Sequence, residues 1–295
     1  MKIVFECNHK YWGGFSPNGG SRTIMLSAEE LRKQGHTVDL VGKDKFTWFG
    51  HPKTLTRTPK ADALVAVSIS DVISVMKNKQ DCQKAYWARP LERWQTAPEL
   101  AYHILRKFAR RGGKIFSNSK WQRDKFMRHG IPTQLQYAGL DFDRWEDKRA
   151  PRAFIGGLYN KSHKSKRTDL CNKAMDEMGE KFLMLGKTIK NPTHEEIVAF
   201  YNKCLIWFAP VEREGFHNCP AEANLCGALV VCNREKKNGM DYATDETAMR
   251  YNTFEEAIEC LRNPDLSKIE KMQKYIRKHI GSRKDNMEEF AEALR

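Results

Sequence analysis

No run of residues in this chain approaches the length and apolarity of a membrane span. Its opening residues lack the charged, apolar and small segments of a secretion leader. The expectation is a soluble chain in the cytoplasm. Its 8 cysteines include no Cys-x-x-Cys pair. Several of them, Cys7, Cys204, Cys226 and Cys232, fall in segments that read as strands or helices, which favours reduced thiols over a disulfide framework or a zinc site. The 9 histidines form no metal-ligand grouping. G-x-G-x-x-G spacing is missing, so nothing points to dinucleotide binding, and neither an internal repeat nor a low-complexity segment is visible. Acidic residues are also in short supply: 37 Asp and Glu face 51 Lys and Arg, a net charge of +14. The shortage is uneven. Met1 to Arg149 holds 27 basic residues against 15 acidic, an excess of 12, whereas the remainder holds 24 against 22. A half this basic suits a polyanionic partner, either nucleic acid or an anionic membrane surface.

What the chain does have is regular alternation. Short apolar runs at Lys2 to Cys7, His36 to Gly42, Ala63 to Val67, Lys84 to Ala88, Ile115 to Asn118 and Gln134 to Tyr137 read as strands separated by helical patterns. A second series follows at Phe154 to Gly157, Phe182 to Gly186, Leu205 to Ala209 and Leu229 to Cys232. Such alternation predicts α/β architecture with parallel sheets covered by helices. At 295 residues two domains are expected. The polar stretch Asp143 to Pro151 is the candidate boundary, giving domains over 1–145 and 146–280, and Leu266 to Arg295 reads as two helices broken at Gly281.

The most informative segment is EREGFHNCPAEANLCGALVV, from Glu212 to Val231. Glu214 and Glu222 stand with seven residues between them. Glu214 lies in a Gly-Phe loop after an apolar run, and Glu222 on the first turns of a short helix. Pro220 suits a first turn, where its missing N–H costs nothing, and Gly227 suits the position after the C-cap. Strand, loop, helix, Gly and strand would point Glu214 and the loop amides at a helix N-terminus, where oriented N–H groups favour an anion. A surface Glu followed by a helix-N-terminal Glu is the ordinary alternative. The flanking Gly215, Phe216, Ala223, Cys226, Gly227, Val230 and Val231 turn the balance. Together these residues resemble the Glu-x7-Glu segment of retaining nucleotide-sugar glycosyltransferases of the GT-B fold, with Leu229 where that family usually has Pro.

The front of the chain supports the same resemblance. A strand leads into a glycine-rich loop with Gly13-Gly14 and Gly19-Gly20, then a helix from about Ser21 to Gln34, then Gly35-His36-Thr37-Val38. A Gly-rich turn in a βαβ unit brings backbone close to phosphate. A looser match starts at Arg152 to Leu158, where Gly157 stands in the place of the family's Arg. Lys166 and Arg167 are the best candidates for the basic pair that neutralises the donor diphosphate, with Lys161 and Lys164 as alternatives. Asp141-Phe-Asp143 looks like a metal-binding Asp-x-Asp, but AGLDFDRW is similar to the family's entry into the interdomain linker, so no metal is expected.

The resemblance implies two Rossmann-like domains facing across a cleft, with residues 281–295 forming a helix that crosses back to the first. It implies a nucleoside-diphosphate sugar, in particular a UDP-sugar, as donor and no separate cofactor. Glu214 would contact the transferred sugar and Glu222 the ribose hydroxyls. Gly215, Phe216, His217, Asn218, Gly19 and Gly20 would line the donor, and Lys166 and Arg167 would stabilise charge on the leaving diphosphate. The first domain would receive the acceptor. There Arg89 follows a strand whose family counterpart often ends in His. Arg106, Lys107, Arg110 and Arg111 cluster at the end of a helix near Pro98 to Arg111, with Leu100, Ile104 and Phe108 as its core stripe. Between Lys43 and Lys60, Phe46, Trp48 and Phe49 are interleaved with cations, a composition suited to stacking on bases or sugars. For each feature the plain alternative is a helix C-terminus complemented by cations, or core aromatics.

Small size and basic character are similar to the glycosyltransferases with which phages decorate hydroxylated bases in their DNA. Double-stranded DNA is therefore the expected acceptor, in host cytoplasm. A lipid or surface glycan at an anionic membrane and a non-catalytic DNA-binding protein on the same scaffold are the alternatives.

Overall fold

The computed structural model describes residues 1–7, 15, 19–43, 54–89, 98–160, 164–189 and 192–295. The chain divides into two compact units, residues 1–139 with 283–295, and residues 140–282. The 27 basic and 15 acidic residues counted above for Met1 to Arg149 are also the totals of the first unit.

In the first unit the strands are β1 (Lys2–Glu6), β2 (Thr37–Val41), β3 (Thr54–Leu55), β4 (Ala63–Ala66), β5 (Gln83–Ala88), β6 (Lys114–Ser117) and β7 (Gln134–Leu135). They pair in parallel in the order β3-β2-β1-β4-β5-β6-β7. The connecting helices are α1 (Gly19–Lys33), α2 (Ile69–Lys77), α3 (Pro98–Arg110) and α4 (Lys120–Arg128). Both faces of this sheet are covered, so its central strands are buried almost throughout. Ile3, Phe5, Val65, Ala85 and Trp87 pack on one face. Val4, Leu64, Ala66, Tyr86 and Ala88 pack on the other, the period-two alternation of a strand.

The expected core stripe of α3 holds in part: Phe108 is buried and Ile104 packs partly buried on the core, but Leu100 is 53% exposed, and Ala101, Tyr102 and Leu105 are buried as well. Tyr102 stacks on His129 at 3.9 Å, just past the end of α4.

In the second unit β8 (Phe154–Leu158), β9 (Phe182–Leu185), β10 (Cys204–Ala209), β11 (Leu229–Asn233) and β12 (Met249–Tyr251) form a second parallel sheet, order β12-β11-β10-β8-β9. Its helices are α5 (Thr168–Met178), α6 (His194–Lys203), α7 (Asn218–Leu225), α8 (Phe254–Arg262) and α9 (Lys268–Tyr275). Thr193 and Glu196 close a capping box at the start of α6. Gly156 and Gly157 of β8 are required by packing. A Cβ at Gly156 would lie 2.6 Å from Cys204 Sγ, and one at Gly157 would lie 3.0 Å from the Phe182 ring. A longer side chain at Gly157 would have to displace the Phe182 ring, a packing reason for glycine where the family has Arg.

After α9 the chain continues as a π-helical turn, Ile276–Ile280, and breaks at Gly281, whose φ of +79° suits glycine. The final helix, α10 (Arg283–Ala293), belongs to the first unit. Its Phe290 packs against Trp87, Phe116 and Phe5 at 4.9, 5.1 and 6.3 Å between ring centroids. Among the described residues no helix is long and apolar enough to cross a membrane. All 8 cysteines are free.

Candidate functional site

In the second unit the Glu212–Val231 segment forms the predicted strand, loop, helix and strand. β10 ends at Ala209, α7 begins at Asn218 with His217 as N-cap, and β11 begins at Leu229. Pro220 sits in the first turn of α7. Gly227 follows the C-cap with φ +96°, and a Cβ there would overlap the Arg152 guanidinium, which binds Asp147 and donates to the Cys226 carbonyl at 3.1 Å.

The loop before α7 is tied down through its main chain. Glu212 N–H donates to Ser165 O (2.9 Å), Glu214 N–H to Lys237 O (2.8 Å) and His217 N–H to Gly239 O (3.0 Å). The Tyr242 hydroxyl, itself fully buried, donates to the His217 carbonyl at 2.5 Å. Gly239 permits the closest approach: with φ +72°, a Cβ there would lie 2.5 Å from Gly215 O and 2.9 Å from Glu214 Cβ.

On this frame the Lys166 ammonium and the Glu214 carboxylate form an ion pair, with side chains 13% and 24% exposed. Lys166 ends a short 3-10 turn, Lys164–Lys166, and Arg167 then adopts a left-handed conformation (φ 51°) as the N-cap of α5. The Arg167 guanidinium binds Glu212 at 2.5 Å and Asp169 at 2.8 Å. Those carboxylates raise its pKa further, and Arg167 in turn holds Asp169 below the usual carboxylate range. The two members of the expected basic pair thus differ in surroundings: Lys166 meets Glu214, whereas Arg167 is shared between two other acids. Lys164 lies on the same turn, and Lys161 falls outside the described residues.

Glu222 lies within α7, buried, and accepts from the Tyr201 hydroxyl of α6 at 3.4 Å. His217 is 3% exposed, and among the described residues neither ring nitrogen has a hydrogen-bond partner. Burial, reinforced by the neighbouring Lys166 charge, lowers its pKa well below the ordinary histidine value, so the ring is neutral. Phe216 packs on Tyr242 at 5.5 Å. Helix α7, with Asn218 at its first position, contains no acidic side chain in its first turn, so its N-terminal dipole is not offset from within. A ring of main-chain bonds, a lysine–glutamate pair, a buried glutamate and a neutral histidine around a helix N-terminus can hold an anion beside a hydroxyl-rich group. The Lys237–Met240 contribution is invisible in sequence, where EKKNGM reads as an ordinary polar turn.

In the first unit Gly19 and Gly20 open α1, and the Thr23 hydroxyl donates to Gly19 O at 2.8 Å. Gly13 and Gly14 lie outside the described residues. So do Phe46, Trp48 and Phe49. Arg89 follows β5, buried, with its guanidinium 5.2 Å from the Trp87 ring centroid, and its carbonyl accepts from Gln122 Nε2 at 3.3 Å. The four cations of α3 do not act alike. Arg106 donates to His129 O at 3.1 Å and so caps α4, whereas Lys107, Arg110 and Arg111 are exposed. Asp141 lies 4.0 Å from Arg144 Nε, and among the described residues no three His, Cys, Asp or Glu side chains gather as metal ligands.

No family model matches the chain, and no curated protein matches it in sequence. Solved structures do match. A sucrose-phosphate synthase from Thermosynechococcus elongatus has a TM-score of 0.78 at 11% identity, over 99% of this chain and 98% of that one. Anabaena HepE in complex with UDP-glucose has a TM-score of 0.73 at 13% identity, over 100% of both chains. A glycosyltransferase from Rickettsia africae has 0.73 at 11% identity, over 100% and 97%. At these identities the likeness establishes the fold: two parallel α/β units of GT-B type, with the C-terminal helix returned to the first.

Proposed function

We propose that this protein is a retaining glycosyltransferase that moves a sugar from a nucleoside-diphosphate sugar to an acceptor hydroxyl. The observation that carries this reading is the Lys166–Glu214 pair held beside the N-terminus of α7, with Glu222 buried on the same helix. The UDP-glucose complex of HepE, a protein of the same fold, supports a UDP-sugar as donor. The diphosphate lies at the α7 N-terminus, where Lys166 and the amides of Gly215 to Asn218 offset its charge as the glycosidic bond breaks. Glu214 orients the sugar through its hydroxyls, and Glu222 accepts from the ribose. The acceptor hydroxyl attacks from the face the diphosphate leaves, and the departing phosphate oxygen takes the proton. Catalysis is then positioning plus electrostatic stabilisation, with no protein base and no metal.

For the acceptor, the excess of 12 positive charges in the first unit favours a polyanion, and a hydroxylated base in double-stranded DNA is the reading we adopt. Arg89, at the C-terminal end of β5, and Trp48 would meet the acceptor. The exposed Lys107, Arg110 and Arg111 end α3 where it leads into β6, at the opposite edge of the parallel sheet, and would hold the polyanion as a separate surface, with Arg106 contributing beside its capping bond. The test is to incubate the protein with a panel of UDP-sugars and with DNA carrying normal, methylated or hydroxymethylated bases, then to digest the DNA and analyse nucleosides by mass and anomeric configuration. An α-linked product from an α-linked donor supports retention. Transfer to vesicle lipids and not to DNA would replace the DNA acceptor with a membrane one. Binding of DNA without turnover of any donor would favour a non-catalytic protein.

A further inference from the structure

We propose that the imidazole of His217 reads the hydroxyl groups of the transferred sugar and thereby sets which sugar the site accepts. The inference rests on the donor reading above and assigns a role to a side chain that this reading uses only through its main chain. The backbone of His217 is fully engaged, its N–H with Gly239 O at 3.0 Å and its carbonyl with the Tyr242 hydroxyl at 2.5 Å. Among the described residues the ring makes no hydrogen bond that holds the loop. It is only 3% exposed, and among the described residues Nδ1 and Nε2 are both without a hydrogen-bond partner. A histidine buried for structural reasons normally spends at least one nitrogen on a neighbour, because an unpaired buried polar atom costs free energy.

The chemistry of the ring narrows what it can meet. A neutral imidazole presents one N–H donor and one acceptor lone pair. Phosphate oxygens only accept at neutral pH, so a diphosphate could satisfy the N–H and would leave the lone pair bare. Converting that lone pair to a second donor requires protonation, which burial and the adjacent Lys166 both oppose. A sugar hydroxyl both donates and accepts, and two neighbouring hydroxyls match the two nitrogens. Lys166, paired with Glu214 and near enough to the ring to lower its pKa, carries the charge suited to the phosphates, and the neutral ring of His217 is suited to the hydroxyls.

The experiment is titration calorimetry of the wild type, His217→Phe and His217→Gln with UDP, UDP-glucose, UDP-galactose and UDP-N-acetylglucosamine, together with ¹⁵N NMR of the histidine rings. His217→Phe keeps the bulk and burial and removes both polar atoms. It should bind UDP within about twofold of wild type while losing about tenfold or more in affinity for the preferred UDP-sugar, the scale of one or two buried hydrogen bonds. Discrimination among the three sugars should collapse. His217→Gln, which retains a donor and an acceptor, should recover part of it. In the wild type the His217 ring nitrogens should shift with the UDP-sugar and not with UDP. His217→Phe binding every UDP-sugar as the wild type does would overturn the proposal, as would ring shifts produced by UDP alone. Loss of UDP binding in both variants would assign the ring to the phosphates and equally overturn it. Wild-type protein that binds UDP but gains nothing from any of the three sugars overturns the inference and leaves the nucleotide site standing. Failure of the wild type to bind UDP at all removes the donor reading and this inference with it.

Discussion

Replacing Lys166 by Met tests the ion pair on which the catalytic reading turns. The side chains of Lys166 and Glu214 are 13% and 24% exposed, so water reaches only part of either charge. Breaking a fully buried pair from one side costs about 3–5 kcal/mol, most of it the penalty for the charge left behind. Partial exposure of Glu214 recovers some of that, and a loss of about 1–2 kcal/mol is expected. For a unit of this size each kcal/mol lowers the melting temperature by about 2–4 °C, so Lys166→Met should melt about 2–8 °C below wild type. Adding Glu214→Gln removes the stranded carboxylate. The double variant should therefore be more stable than Lys166→Met alone, a coupling that a double-mutant cycle reads directly. Turnover follows a different logic, because in the proposed mechanism the ammonium is needed most as charge develops on the leaving diphosphate. A fall of about 10²–10³-fold in kcat is expected, comparable to removal of one oxyanion donor. Thermal unfolding of the four proteins and UDP release from the donor give the two readouts. A Lys166→Met protein that melts with wild type, gains nothing from Glu214→Gln and turns over normally would refute the ion-pair reasoning.

Gly239→Ala should cost about 2–3 kcal/mol and weaken donor binding together, because a positive φ and the contact with Gly215 O act on the same loop; equilibrium unfolding and UDP titration measure both, and an unchanged protein would contradict the close approach. Stability should fall as pH drops below 6.5, since unfolded His217 takes up a proton that the buried ring, with its lowered pKa, refuses. His217→Phe should flatten that decline by up to about 1.4 kcal/mol per pH unit, and parallel curves for the two proteins across this window would count against a buried neutral ring. Turnover should survive EDTA; complete loss restored by magnesium or manganese would return Asp141 and Asp143 to consideration.

Local chemistry made much of the fold readable. Pro220 and Gly227 punctuate α7, and the apolar runs of β1, β4, β5, β10 and β11 are too short and too continuous for surface helices. Each appears within a residue or two of its expected bounds. Legibility failed where a long-range partner decides. Leu100 is expected inward because it shares the helical period of Ile104 and Phe108; those two do meet the core, but the first turn brings Ala101 and Tyr102 inward, with Tyr102 stacked on His129, and leaves Leu100 exposed. Arg106 reads as one of four surface cations until the His129 carbonyl is found beside it. The expected proximity of Lys166 and Glu214 came from resemblance, since 48 residues separate them in sequence. No local rule foretells that Lys237 and Gly239 would supply carbonyls to the loop between β10 and α7.

That loop has a consequence for how this site can change. Its shape is set by backbone groups: the N–H groups of Glu212, Glu214 and His217 and the carbonyl of His217 all have fixed partners. A backbone hydrogen bond survives substitution of the side chain that carries it, provided φ and ψ remain accessible. At His217 they are ordinary for an N-cap (φ −89°, ψ 95°), so the side chain there can vary without deforming the frame around Glu214. At Gly239 they are not, and a change there moves the frame itself. The two positions are joined by a single hydrogen bond and yet are opposite in tolerance. On the proposed donor reading, substitutions at His217 should retune donor preference while the Lys166–Glu214 geometry is preserved, whereas a substitution at Gly239 should alter affinity for every donor at once.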